Sequence, residues 1–159
     1  GPPATIRSAS FERRIREVRP EAEVHAVACP LFVPLVENGW IELDNEATVA
    51  AARRYLEPLA AKGVDTLILG CTHYPLLAPV ISAVMGPDVV LVDSGEACAA
   101  LCAERLEQDD ALNRTKRAGM CHFYVSDLPD DFTHVARMFL GRDVDGDTER
   151  VDIETLTDA

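Results

Sequence analysis

Short apolar runs that alternate with helical patterns constrain the fold of this chain more than any other feature. Four runs rich in Val, Ile and Leu, each bounded by turn-forming residues, cover residues 23–29, 65–70, 88–93 and 121–126. Most do not alternate with polar residues, which is typical of strands covered on both faces in parallel sheets. Since helical patterns separate them, the sequence predicts βαβ units and an α/β fold, with parallel-sheet layers and helices on both faces.

Four stretches of the sequence have the spacing of apolar residues that is typical of amphipathic helices. They cover residues 10–18, 45–62, 96–107 and 131–140. We expect the first helix to bury Phe11, Ile15 and Val18. The second contains Pro58, which lacks a backbone N–H, and this predicts a kink or break near Glu57.

Charge and apolar run length exclude two classes of partner. The chain has 159 residues, with 15 Lys and Arg against 27 Asp and Glu, and a formal net charge of −12. This charge repels phosphate backbones and anionic lipid head groups, and no run approaches the roughly 20 apolar residues of a membrane span. We therefore expect neither nucleic acid nor a membrane as a partner. The five cysteines lack the dense spacing of secreted disulfide scaffolds, which indicates reduced thiols in a cytoplasmic protein.

The loop after the second predicted strand carries the residues best suited to chemistry. It reads Gly-Cys-Thr-His-Tyr-Pro from Gly70 to Pro75 and precedes a helix that we expect to begin at Pro75 or Leu76. A helix N-terminus and a nearby imidazolium both increase the thiolate fraction of a cysteine. Cys71 is therefore the best nucleophile or proton-transfer base, with His73 as its partner. The alternative is a small buried Cys71 that only packs, and the Cys-x-His spacing lacks the second pair of a metal site.

Three segments resemble one enzyme family in order and spacing. Residues 63–77 read GVDTLILGCTHYPLL, residues 28–39 read ACPLFVPLVENG and residues 92–97 read VDSGEA. The first closely resembles the second active-site signature of glutamate racemases, which interconvert L- and D-glutamate without a cofactor for bacterial cell-wall peptidoglycan synthesis. Aspartate racemases share the fold and a similar loop and stay an alternative, but the segment at 28–39 favours glutamate.

The resemblance implies a role for five residues. Cys71 corresponds to one of two catalytic thiols, His73 to the histidine that assists it, and Glu37 to an acidic residue near the active site. Thr72 and Thr5 correspond to residues that contact the substrate. The resemblance further implies glutamate as the substrate, with no pyridoxal phosphate or other cofactor and no metal.

Racemisation needs two groups, one on each face of the substrate, because one removes the α-proton and the other returns a proton. The resemblance places the other thiol in a Cys-Asn-Thr loop of an N-terminal domain, and this sequence contains no such loop. We therefore expect one complete domain plus part of a second, pseudo-symmetric one. Residues 1–92 would form the second racemase domain, 93–142 a returning segment of the first, and 143–159 an acidic tail. The missing N-terminal half becomes a partner, and the chain alone is expected to be inactive.

Two further interpretations stay open from the sequence. In the first, the chain is a binding module without chemistry that forms a homodimer through the apolar stripe of residues 132–140. In the second, the chain is a cysteine-dependent hydrolase, which needs an acid or amide to orient His73. The sequence identifies no residue for that task.

Overall fold

The chain folds into two compact units, Gly1–Leu112 and Asn113–Ala159. The computed structural model describes residues 1–115, 117, 119–127, 129–144 and 148–152. Within these residues, no helix has the length and apolarity that a membrane crossing requires. The division expected from the sequence, at residues 92 and 142, stays a prediction.

The first unit contains two parallel strands and six α-helices among its described residues. In chain order these are α1 Pro3–Ser8, α2 Ser10–Val18, α3 Phe32–Glu37, α4 Glu46–Ala60, β1 Thr66–Leu69, α5 Ala78–Met85, β2 Val90–Asp93 and α6 Ser94–Gln108, with a 3₁₀ turn at Tyr74–Leu77 before α5. Strands β1 and β2 pair in parallel, with Thr66 opposite Val90 and Leu69 opposite Asp93. This parallel pair confirms the predicted α/β class.

The second unit has a smaller βαβ arrangement. Its elements are β3 Phe123–Val125, α7 Pro129–Leu140 and β4 Thr148–Arg150, and β3 pairs with β4 in parallel. The predicted strand at 121–126 and the predicted helix at 131–140 are thereby confirmed. Strand β4 lies within the segment expected to be an acidic tail, and residues 153–159 of that segment lie outside the described residues.

The first predicted strand, at residues 23–29, is wrong as a strand. Residues 22–29 do not form a β-strand, and the backbones of Val27 and Cys29 are hydrogen-bonded to Gly1. The Gly1 amino group donates to the Val27 carbonyl at 3.1 Å, and the Cys29 N–H donates to the Gly1 carbonyl at 3.0 Å. A β-strand is defined by a ladder of hydrogen bonds to a neighbouring strand. Among the described residues, this segment is bonded along its edge to the single residue Gly1, so no ladder forms.

Helix α2 has the predicted bounds but not the predicted burial. It has no buried residue, Val18 is 65% exposed, and Phe11 is 37% exposed. The apolar period of the sequence identified the helix correctly. Phe11 and Ile15 of its apolar face line a cleft, together with residues 21–27.

Of the kink or break expected near Glu57, the break is wrong, because α4 runs without interruption to Ala60. Pro58 lies in the last turn, and the Ala61 N–H still donates to the Glu57 carbonyl at 2.9 Å. A proline so close to the end removes one bond of the helix and interrupts little that follows. At the other end, the Asn45 side chain accepts a hydrogen bond from the Thr48 N–H at 3.0 Å and caps the helix.

The core of the first unit lies between α3, α4, α5 and β1 and contains Phe32, Val36, Leu56, Leu77 and Ile81. The Phe32 ring meets the Tyr74 ring edge-on, with the centroids 5.1 Å apart. The buried Tyr74 hydroxyl donates to the Cys29 carbonyl at 3.0 Å, across 45 residues of sequence. This bond ties the loop after β1 to the segment that leads into α3.

We predict that Tyr74→Phe lowers the free energy of unfolding by about 1–2 kcal/mol, because the Cys29 carbonyl loses a buried donor. Urea denaturation followed by tryptophan fluorescence measures the change. The matched control is Tyr124→Phe, which removes a hydroxyl from a side chain that is 64% exposed and should change stability little. Equal effects of the two substitutions would contradict the proposed importance of the Tyr74 bond.

Candidate active site

The loop after β1 is a compact turn whose backbone is held at both ends. The Cys71 N–H donates to the Leu69 carbonyl at 2.8 Å, and the Tyr74 N–H donates to the Cys71 carbonyl at 3.3 Å. Tyr74 is buried in the core, whereas Thr72 is exposed. Cys71 is half-buried and packs against the core. The loop therefore presents Cys71, Thr72 and His73 at the carboxyl end of a parallel strand, where α/β proteins bind ligands.

His73 brings the polar side chains of the site together. Its Nδ1 lies 3.9 Å from Cys71 Sγ and 3.3 Å from Thr72 Oγ1. Its Nε2 lies 3.3 Å from Glu37 Oε1, at the carboxyl end of α3. Four of the five residues expected in the site thus form one connected group.

This arrangement is suited to proton transfer at the thiol. When Nε2–H donates to Glu37, the Nδ1 lone pair faces Cys71 and can accept the thiol proton. The Glu37 carboxylate then stabilises the imidazolium that forms, as the acid does in catalytic triads. Residue reasoning alone did not find Glu37, because 34 residues separate it from Cys71 and only the resemblance pointed to it.

Thr5 lies close to the site but is not in the His73 group. It belongs to α1 and neighbours Gly1: a Cβ built on Gly1 would lie 3.6 Å from Thr5 Cβ and 3.3 Å from the Gly70 carbonyl oxygen. Gly1 is therefore a neighbour of both Thr5 and Gly70, the residue that precedes Cys71. The role of Thr5 toward a substrate stays a prediction.

The helix expected to begin at Pro75 or Leu76 begins later, at Ala78. A 3₁₀ turn at Tyr74–Leu77 comes first, and the Ala78 N–H donates to the Pro75 carbonyl. Pro79 is the physical reason: it has no N–H to make the α-helical bond to Pro75, so the α-helix cannot run back through the turn. The helix N-terminus therefore lies several residues from Cys71, whereas the His73 imidazole has a recorded contact with the thiol.

The other cysteines differ from Cys71 in surroundings. All five are free thiols; Cys98, Cys102 and Cys121 are exposed, while Cys29 is buried. Burial raises the pKa of Cys29 to about 11, so its thiolate is scarce at neutral pH. Cys71 is the cysteine with a recorded histidine contact. Among the described residues, no group of three or more His, Cys, Asp or Glu side chains could hold a metal ion.

Comparison with known proteins identifies the family. The sequence profile of the Asp/Glu/Hydantoin racemase family matches residues 4–102, which include the whole His73 group. The chain belongs to this family. The match covers most of the first unit and includes Thr5 as well as Cys71.

Its similar relatives are glutamate racemases. That of Geobacter metallireducens is 47% identical over 154 residues, which are 97% of this chain and 56% of the relative. That of Syntrophus aciditrophicus is 44% identical over 153 residues. The crystal structure of glutamate racemase from Francisella tularensis in complex with D-glutamate matches 96% of this chain and 56% of its own, with a TM-score of 0.85 and 33% identity. The chain spans about half the length of the relatives it matches.

We predict that iodoacetamide at pH 7.5 alkylates Cys71 at least tenfold faster than Cys29. Alkylation requires a thiolate; burial keeps Cys29 protonated, whereas Cys71 is half-buried with His73 Nδ1 3.9 Å from its sulfur. Peptide mass mapping over time measures both rates. His73→Asn should slow Cys71 several-fold and leave exposed Cys98 unchanged; a Cys71 rate that is insensitive to His73 would contradict the assigned contact.

Proposed function

We propose that this chain carries one of the two proton-transfer sites of a glutamate racemase, with Cys71 as the thiol that exchanges the α-proton. The observation that carries the proposal is the contact series from Cys71 to His73 to Glu37 on the family loop. Glutamate is supported as the substrate by the names of the relatives and by the D-glutamate complex of a similar structure.

In the proposed reaction, the Cys71 thiolate removes the α-proton of one glutamate enantiomer and becomes a thiol. The electron pair of the broken C–H bond stays on the substrate as a carbanion, delocalised into the α-carboxylate. A second acid then returns a proton to the opposite face, which inverts the centre. Hydrogen-bond donors aimed at the carboxylate stabilise the charge that develops there. No step requires an organic cofactor or a metal.

Each residue of the site has a proposed role in this reaction. His73 accepts the Cys71 proton to generate the thiolate, and Glu37 holds the imidazole through Nε2. Thr72 is exposed beside His73 and offers its hydroxyl to the substrate carboxylate. Thr5 is proposed to contact the substrate from α1, where it neighbours Gly1.

The second base is proposed to come from a partner, the N-terminal half of a racemase. Cys29 is a poor substitute because its thiol is buried and its pKa is raised to about 11. Cys98 and Cys102 lie along the exposed helix α6, and neither has a recorded contact with the His73 group. The chain alone therefore supplies chemistry on a single face of the substrate, and we expect no inversion from it.

The wider role follows from the same proposal. D-Glutamate made by such an enzyme would serve peptidoglycan synthesis, cell-wall biogenesis and cell shape, and the enzyme would act in the cytoplasm. An aspartate racemase is less well supported, because the relatives described above are named glutamate racemases. A cysteine-dependent hydrolase would need an acid to orient His73, and Glu37 lies beside it. The family match nevertheless favours proton transfer over acyl transfer. A binding module or homodimer without catalytic activity would not require the contacts of His73 with Cys71 and Glu37.

We predict that the chain exchanges the α-hydrogen of one glutamate enantiomer with D2O without inverting it. A single base returns the proton or deuteron to the face from which it was removed. Proton NMR measures loss of the α-hydrogen signal, and chiral chromatography measures inversion. Cys71→Ser should reduce exchange at least 100-fold, whereas the matched control Cys102→Ser, an exposed cysteine of α6, should leave it unchanged.

Two results would count against the proposal in different ways. Exchange that persists in Cys71→Ser would contradict Cys71 as the base. Interconversion of the two enantiomers by the purified chain would contradict the need for a partner while supporting racemase chemistry.

A further inference from the structure

The turn that follows α3 is closed by backbone hydrogen bonds. The Trp40 N–H donates to the Leu35 carbonyl at 2.9 Å, and the Gly39 N–H donates to the Val36 carbonyl at 2.8 Å. Gly39 has a left-handed backbone, with a φ of 73°. Together these features make a Schellman motif, which ends a helix and satisfies its last carbonyls. The motif therefore fixes the end of α3, where Glu37 is the last helical residue.

A buried hydroxyl from the next helix holds the same turn. Thr48 lies in the first turn of α4 and is 0% exposed. Its Oγ1 donates to the Trp40 carbonyl at 2.7 Å, the usual length of a well-formed O–H···O hydrogen bond. The backbone of Trp40 is thus bonded to α3 through its N–H and to α4 through its carbonyl.

Helix α3 has few internal bonds of its own to hold its end in place. It has six residues, and no side chain caps its N-terminus. Short helices are marginal by themselves, because few hydrogen bonds offset the cost of ordering the first turn. Phe32 and Val36 pack one face of the helix into the core, while the Schellman motif and the Thr48 hydroxyl fix its exposed end.

The contact of Glu37 with His73 is sensitive to where α3 ends. The Glu37 side chain is 49% exposed, and its Oε1 lies 3.3 Å from His73 Nε2. This distance lies just beyond the usual range of N–H···O hydrogen bonds, about 2.7–3.2 Å, so a further small displacement would break the contact. The backbone at the end of the helix therefore decides whether the carboxylate reaches the imidazole.

We propose that Thr48 is a positioning residue of the candidate site. Its hydroxyl fixes the turn after α3 and, together with the left-handed Gly39, keeps the Glu37 carboxylate within reach of His73. Thr48 acts on the site through Glu37. The inference rests on the proposed function for the use of the site, but the reactivity of Cys71 measures the positioning without any turnover of glutamate.

The test is a double-mutant cycle on the rate at which iodoacetamide alkylates Cys71. Thr48→Val keeps the shape of the side chain without its hydroxyl. We expect it to slow alkylation about threefold, because the imidazolium beside the thiolate loses its carboxylate partner. In a Glu37→Gln chain, which is already slowed, Thr48→Val should have no further effect, since substitutions that act through one contact are not additive. Thr48→Ser, which keeps the hydroxyl, should rescue the rate.

Two glycines provide a second arm if Thr48→Val prevents folding. Gly39 and Gly63 each follow a helix with a left-handed φ, 73° and 69°, and a Cβ built on either meets nothing within 4 Å. Valine disfavours this conformation, so Gly39→Val and Gly63→Val should lower the Tm alike. We expect slower Cys71 alkylation from Gly39→Val alone, because Gly39 closes the helix that carries Glu37. Asparagine tolerates the left-handed backbone, so Gly39→Asn should rescue the rate.

Three results would overturn the proposal. They are unchanged Cys71 alkylation in folded Thr48→Val, equal slowing by Thr48→Val with and without Glu37→Gln, and equal slowing by Gly39→Val and Gly63→Val. Each would show that the turn affects stability only.

The α-hydrogen exchange of glutamate in D2O separates this inference from the proposed function. If the chain exchanges no α-hydrogen while the cycle shows the expected coupling, the racemase assignment fails and the positioning role is supported. If exchange occurs, Thr48→Val should lower kcat about threefold and leave KM unchanged, because it alters the base and not the groups that bind the substrate. A raised KM with unchanged kcat would contradict the positioning role.

Discussion

The anchoring of Tyr74 is the interaction on which the candidate site depends. The loop after β1 and helix α3 are distant in sequence, yet His73 and Glu37 must meet to within 3.3 Å. The Tyr74 ring packs edge-on against Phe32 at the start of α3, and its hydroxyl donates to the Cys29 carbonyl just before that helix. Both contacts involve a residue adjacent to His73, so the buried core fixes the distance between loop and helix. Apolar packing beneath the site thereby fixes the positions of its polar side chains.

The sequence predicts local secondary structure well, but it predicts poorly which segments pair or pack with one another. Strands β1, β2 and β3 and helices α2, α6 and α7 follow from apolar period and turn residues, because these signals are local. Residues 23–29 have the same apolar composition as a strand, but a strand also needs a neighbour, and composition does not report whether one is present. Pro58 was expected to break α4 and does not, since its effect depends on how few residues of the helix follow it.

The residues of the candidate site also differ in whether local sequence signals predict them. Cys71 and His73 were found from their spacing in a loop at a strand end, because both lie within three residues. Glu37 required a family resemblance, since its contact with His73 arises from the tertiary packing of α3 and carries no local signal. The late start of α5 was missed although Pro79 causes it, and that proline is a signal that could have been used. The proposed activation of Cys71 therefore rests on the His73 contact and not on a helix N-terminus.

The site is proposed to be completed by a second base from a partner. In that proposal, the Cys71 thiol serves a single face of the substrate. A crystal structure of the chain with D-glutamate tests the central claim most directly, because it places the α-carbon relative to Cys71. The account predicts Cys71 Sγ within about 3.5 Å of the α-carbon, the distance expected of reacting atoms, with the α-carboxylate beside Thr72. Glutamate bound with its α-carbon away from Cys71 and facing another side chain would contradict it.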